Sequence, residues 1–187
     1  MTVGRRDLLY YLMIPALFVA ALLQSTMLVR IEVRNVKPDL VLILVLVGTL
    51  VYGAQSGMLW AFVGGVAIDL FSGGPMGSSS LALLVAVLVA APGHHTLSRF
   101  NVLVPLGAAA LGTLAYGITY IVVLAALDFT MNLPFLRGVQ AEGVQHLLPF
   151  MATVEFVVLP AVAYNTLVML ALIPLLNLVP ETTDAVL

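Results

Sequence analysis

Residues 57–77 read GMLWAFVGGVAIDLFSGGPMG, an apolar run threaded with small residues, one acid deep inside it and a glycine–proline turn at its end. Gly57, Ala61, Gly65 and Asp69 recur every four residues, so on a helix they share one face, and Gly64 widens it. Small residues at that spacing let a second helix approach closely, which is how helices associate in lipid. Asp69 continues the small stripe and therefore points toward a neighbouring helix rather than toward lipid. Ser72-Gly73-Gly74-Pro75-Met76-Gly77 ends the helix, because glycine accepts the positive φ of a C-cap and proline cannot continue the hydrogen-bond ladder. Ser78, Ser79 and Ser80 are N-cap candidates for the helix that follows. The stretch predicts a tight transmembrane hairpin with an acid at its tip.

Composition extends that reading to the whole chain. At 187 residues, 62% hydrophobic and 9% charged, with a mean hydropathy of +1.15, the sequence is that of an integral membrane protein, not a soluble domain. One membrane domain accounts for the entire length. The net charge of −2 offers no basic face, which argues against nucleic acid as a partner. There are no cysteines, so disulfides, thiolate metal sites and cysteine nucleophiles are excluded. Arg5 and Arg6 precede an apolar run as in a signal peptide, but no small-x-small cleavage site follows, and a retained first helix is expected.

Apolar runs and turn signals place six transmembrane helices at about 8–28, 38–52, 57–72, 79–92, 102–127 and 149–178. The fold class expected is an all-α six-helix bundle. Gln24, Ser25 and Thr26 form a polar patch ending the first helix, and the alternation over 29–36 suggests an extended connection. Lys37-Pro38-Asp39 opens the second helix with proline in its first turn and an acid near its positive end. Helices two to four are shorter than the ~17–25 residues of a usual span, so turn residues complete the crossing or one pair crosses only in part. His94, His95 and Arg99 form a polar loop without further ligands for a metal. Gly112, Tyr116 and Tyr120, with Ala109, Thr113 and Gly117 beside them, read as a packing seam on the fifth helix. A short interfacial helix is expected over 139–148, and Pro160 and Pro174 are expected to kink the last span, which also holds Glu155 and Asn165.

Six spans place both termini on one side. With the N-terminus inside, Arg5, Arg6 and Arg99 fall inside and Arg30, Arg34, Lys37 and Arg137 outside, so the charge rule does not choose an orientation. Two acids lie within apolar sequence, Asp69 and Glu155, and a charge at mid-bilayer costs about 2.5–3.5 kcal/mol on insertion scales. Asp69 also sits at the negative end of its helix, which disfavours it by about 0.3–1 kcal/mol. It therefore needs donors, either the hydroxyls and first-turn amides of Ser78 to Ser80 or a partner outside the chain. Glu155 reads as interfacial or functional. No catalytic set emerges: Ser78 and the His94–His95 pair bracket a helix, and the turn lacks the lysine of a phosphate loop. A coupled transporter is also disfavoured, since no repeat pairs two interrupted helices around a polar midplane.

Lys37-Pro38-Asp39-Leu40, the apolar helix after it, and Gly64-Gly65-Val66-Ala67-Ile68-Asp69-Leu70-Phe71-Ser72-Gly73-Gly74-Pro75-Met76-Gly77 resemble the rod shape-determining protein MreD family. Its "KPDL" start, "GxxxDxxSGGPxG" hairpin and the "QST" element at Gln24-Ser25-Thr26 all stand in this sequence, and the likeness covers residues 22–84. The resemblance implies a multi-pass protein of the bacterial inner membrane, without cofactor or enzymatic activity, in the cell-elongation machinery. It implies binding to the bitopic scaffold MreC and, through it, to a SEDS-type glycosyltransferase paired with a penicillin-binding transpeptidase. It implies a fold similar to the substrate-binding subunits of energy-coupling-factor transporters, with both ends cytoplasmic. That likeness keeps a second class open, a small-solute-binding subunit of a transporter. The residues expected to matter for structure or partner binding are Asp69, Gly57, Ala61, Gly64, Gly65, Gly73, Gly74, Pro75, Lys37, Pro38 and Asp39.

Overall fold

The computed structural model describes residues 5–26, 38–96, 102–127 and 151–176. The stretch at 29–36, Lys37, Arg99, the interfacial helix expected at 139–148 and the C-terminal tail lie outside the described residues. Among the described residues all regular structure is helical. The elements are α1 (Arg5–Thr26), α2 (Leu40–Tyr52), α3 (Ala54–Ser72), α4 (Ser78–Ala90), the short α5 (Gly93–Thr96), α6 (Leu103–Ala126) and α7 (Leu159–Leu176), the last entered through a π-helical turn, Val154–Val158.

The second helix is the hub. Its sequence LVLILVLVGTLVY is apolar all round, the pattern of a helix buried on every side. Accordingly α1, α3, α4, α6 and α7 all pack on it, while α5 abuts it as well. Neighbouring pairs around it run α1–α3, α3–α4, α4–α6 and α6–α7. Val41, Leu42, Val45, Leu46 and Leu50 are wholly buried, joined by Leu17 of α1, Trp60 of α3, Leu83 of α4 and Met169 of α7. Trp60 fits because Gly48 faces it: a Cβ there would come within 2.6 Å of the indole. Tyr52 meets the same indole edge-on at 5.3 Å.

The small stripe of α3 serves contacts inside the chain. A Cβ on Gly57 would strike Thr49 of α2, and one on Gly64 would lie 2.8 Å from Val41 of α2 and 3.4 Å from Leu17 of α1. One on Gly65 would collide with the backbone of Ser80 in α4. On α6, Gly112 receives Leu46 of α2 and Gly117 receives Val158 of the π turn.

Several boundaries differ from the sequence reading, each for a local reason. The α2–α3 reversal takes the single residue Gly53 at φ 87°, so α3 begins at Ala54 rather than Gly57. Pro38 precedes α2 rather than entering its first turn, because Asp39 stands at the cap with an extended backbone, φ −93° and ψ 90°. After α4, a turn at Ala91 and Pro92 leads into α5 where a polar loop was expected. The π turn ends two residues before Pro160. That proline has no N–H for the carbonyl four residues back, and the wider turn is where such a mismatch is taken up.

Contacts along the axis fix the depth of α2. Leu50, near its C-terminus, lies against Gly93, which in turn lies beside Val104 at the start of α6. Asp39, at its N-terminus, is joined through Asn165 to Thr113. Thr113 is about 15 Å along an α6 of about 36 Å, at 1.5 Å per residue. The N-terminus of the central helix is thus tied, through the last helix, to the middle of α6.

The outside of the bundle is greasy. Tyr11, Leu12 and Val19 on α1, Leu59 and Phe62 on α3, Leu88 on α4, Leu111 and Val122 on α6, and Leu167 on α7 are all exposed. Exposed apolar surface on this scale belongs in lipid. Three helices, Ala54–Ser72, Leu103–Ala126 and Met151–Pro174, are long and apolar enough to cross a membrane, while Tyr11–Thr26, Leu40–Tyr52 and Ser78–Ala90 are shorter apolar helices.

The close α3–α4 approach is testable. Gly65→Ala should lower the melting midpoint in detergent, costing about 1–3 kcal/mol, since the colliding atoms are backbone and cannot rotate away. Gly107→Ala, inside α6 with nothing within 4 Å of its Cβ position, should hold or raise it, with about 0.5–1 kcal/mol from helix propensity. Indistinguishable melting curves would contradict the packing described.

Candidate functional site

Among the described residues most of the buried polar side chains lie at the N-termini of α2 and α4. The first amides of any α-helix lack intrahelical acceptors, and in an apolar surround each needs one supplied. At α4 the acceptor comes from the preceding helix. Asp69, only 2% exposed, reaches across the hairpin, its Oδ2 accepting from Gly77 N–H at 2.6 Å. Its Oδ1 accepts from Ser79 N–H at 3.2 Å and lies 3.4 Å from the Ser78 hydroxyl. The hairpin makes this geometry possible by turning at two left-handed glycines, Gly73 at φ 69° and Gly77 at φ 92°. The negative carboxylate thereby leaves the unfavourable end of α3 for the favourable end of α4.

The serines do not cap their own helix. Gly77 occupies the cap position and Ser78, Ser79 and Ser80 form the first turn, all buried. Ser78 donates to the Pro75 carbonyl at 2.7 Å and Ser80 to the Phe62 carbonyl of α3 at 3.2 Å, so they brace the hairpin. The Tyr116 and Tyr120 rings of α6 stack at 6.0 Å with their hydroxyls turned toward Ser79 and Ser78. The buried Ser79 hydroxyl faces Tyr116 without reaching hydrogen-bonding geometry.

At α2 three different elements supply acceptors. Asp39 caps its own helix, accepting from Leu42 N–H at 3.0 Å. Gln24 of α1 accepts from Val41 N–H at 3.4 Å. Asn165 of α7, 1% exposed, accepts from Asp39 N–H at 3.0 Å and donates to the Thr113 hydroxyl at 3.3 Å. The far end of α2 is closed as well: His94 lies 2.8 Å from the Leu50 carbonyl through Nδ1, which must carry the proton because a carbonyl only accepts.

The expected residues therefore divide. Asp69, Gly73, Gly74 and Pro75 build one cap, and Pro38 and Asp39 stand at the other. Gly57, Ala61, Gly64 and Gly65 are buried between helices, and Lys37 lies outside the described residues. Gln24, Asn165 and His94 join the caps without having been singled out for that role. A polar residue in an apolar run signals an internal hydrogen bond, but not a partner 126 residues away. Among the described residues no group of three His, Asp or Glu side chains is placed to hold a metal. What the arrangement does chemically is hold helix ends: both carboxylates are engaged by backbone N–H groups.

The family model described as rod shape-determining protein MreD matches residues 5–159, more than four-fifths of the chain. The matched region includes the Asp69 hairpin and, of the α2 cap, Gln24 and Asp39, and stops before Asn165. No curated protein and no solved structure matches.

Replacing Asp69 separates charge from hydrogen bonding. Asp69→Leu should insert into membranes at least as well as the parent but melt lower in detergent, since each amide left without an acceptor costs about 1–3 kcal/mol. Asp69→Asn should lose less, because its amide oxygen still accepts. A leucine variant melting like the parent would show the cap to be incidental.

Proposed function

This chain belongs to the rod shape-determining protein MreD family, and from that premise we propose that it is a non-catalytic, multi-pass scaffold of the bacterial inner membrane, binding MreC within the cell-elongation complex. Family membership is the observation that carries the reading. The caps support it: most of the internal polar groups hold helix ends in place. Through MreC the chain would help organise a SEDS glycosyltransferase and a penicillin-binding transpeptidase, and with them peptidoglycan synthesis and cell shape. In this reading all six apolar helices cross the bilayer, the short ones completed by their polar caps and turns, with both termini cytoplasmic. A partner helix gains little from apolar burial in lipid, so its affinity rests on shape-matched packing and a few polar contacts.

Topology is checked by cysteine labelling at Gly4 and Asp184 in intact cells. Both are expected to be shielded until the inner membrane is permeabilised. Labels on opposite faces would remove the six-span arrangement, whereas both outside would reverse only the orientation.

Co-purification from native membranes, with mass-spectrometric identification, tests the function itself. MreC and the synthase pair are the expected companions. Recovery instead of an ATPase pair with a membrane coupling subunit, or of a bound vitamin-like solute, would replace the scaffold by a solute-binding transporter subunit.

A further inference from the structure

Asp39 and Asp69 are both engaged inside the bundle, but Glu155 is not. It lies in the π turn Val154–Val158, exposed, within the apolar helix Met151–Pro174. Among the described residues its carboxylate has neither a hydrogen bond nor an ion pair. Among the described residues its exposed neighbours on the helix are apolar: Met151 and Leu159, four residues to either side, are 60% and 52% exposed, and Phe156 beside it is 58% exposed.

Its depth follows from two contacts. Val158 packs on Gly117 and Asn165 on Thr113, so α6 and α7 run antiparallel. Three residues before Val158, Glu155 is about 4.5 Å nearer the C-terminal end of α6, level with Tyr120 and about 9 Å short of Ala126. Val122 and Leu127 of α6, farther toward that end, are apolar and exposed. The residue thus lies on the outside of the bundle, with exposed apolar side chains of α6 farther toward the same end. An ionisable group in that position is costly unless paired. A π turn inserts an extra residue into the helix, a device that recurs at functional sites.

We propose that Glu155 and the exposed Met151, Phe156 and Leu159 around it form a docking face for a partner's transmembrane helix carrying a lysine or arginine at the matching depth. Charge complementarity selects this occupant. A lipid tail offers the carboxylate nothing, whereas a basic side chain on a packed helix neutralises it and shields it from hydrocarbon. The inference rests on the scaffold reading and gives it a contact surface.

The test places a photocrosslinking amino acid at Leu159, and at Leu111 of α6 as a control, in native membranes that also contain the partners. Leu159 should yield one discrete protein adduct whose crosslinked peptide is a membrane span with a basic residue. Glu155→Leu should reduce the adduct roughly tenfold or more while leaving the melting midpoint unchanged, because the carboxylate has no partner within the described fold. Glu155→Lys should abolish it, and reversing the partner's basic residue to glutamate should restore it. Adducts with lipid alone, an adduct indifferent to Glu155→Leu, a crosslinked span without a basic residue, or an equal loss on Arg137→Gln would each overturn the proposal. If wild type still co-purifies with MreC in those cases, the scaffold reading survives and only this surface falls. If nothing co-purifies, both fall.

Discussion

A helix that begins inside a low-dielectric bundle must be given acceptors for its first amides, and that requirement governs this protein. With 13 residues, α2 is about 20 Å long, well short of a hydrocarbon core of about 30 Å. Its N-terminus is tied through Asn165 to Thr113, near the middle of α6. The helix itself offers no acceptor to satisfy the amides of Asp39, Val41 and Leu42. Asn165, Gln24 and the Asp39 carboxylate do so instead, so the last helix, the first helix and the chain's own cap converge on one point. Because α2 touches nearly every other helix, fixing its end fixes the register of the bundle.

The second short helix meets the same demand locally. α4 also has 13 residues, and its cap comes from the end of α3 through Asp69. Two left-handed glycines bring the carboxylate within reach, and Gly65 brings the two helices together at their backbones. Hairpin, acid and glycine stripe are thus parts of one device. A Cβ at Gly65 and a missing acceptor at Asp69 disturb the same contact from opposite sides.

Range in sequence decided what could be read beforehand. The Asp69 hairpin was legible because donor and acceptor lie within ten residues of each other, and glycine and proline mark the turn. The apolar runs were legible because burial and lipid both demand them. The cap of α2 was not, since Gln24 and Asn165 reach it from 17 and 126 residues away. His94 read as loop because adjacent histidines carry no sign of a carbonyl 44 residues distant. The serines looked like caps by type, but a charged acceptor across the hairpin took that role. Gly53 reverses the chain alone, where spacing had suggested a four-residue turn.

Family membership joins this construction to shape determination, and the proposed scaffold role would call for helices held at fixed heights. The claim that matters most is that α2 is pinned by side chains from remote helices. Amide hydrogen exchange, read by mass spectrometry in wild type and in Asn165→Leu, tests it most directly. The account predicts slow exchange at Asp39, Val41 and Leu42 in wild type, accelerated roughly tenfold in the variant, with the first turn of α4 unaffected. Unchanged exchange at α2, or equal loosening of α2 and α4, would contradict it.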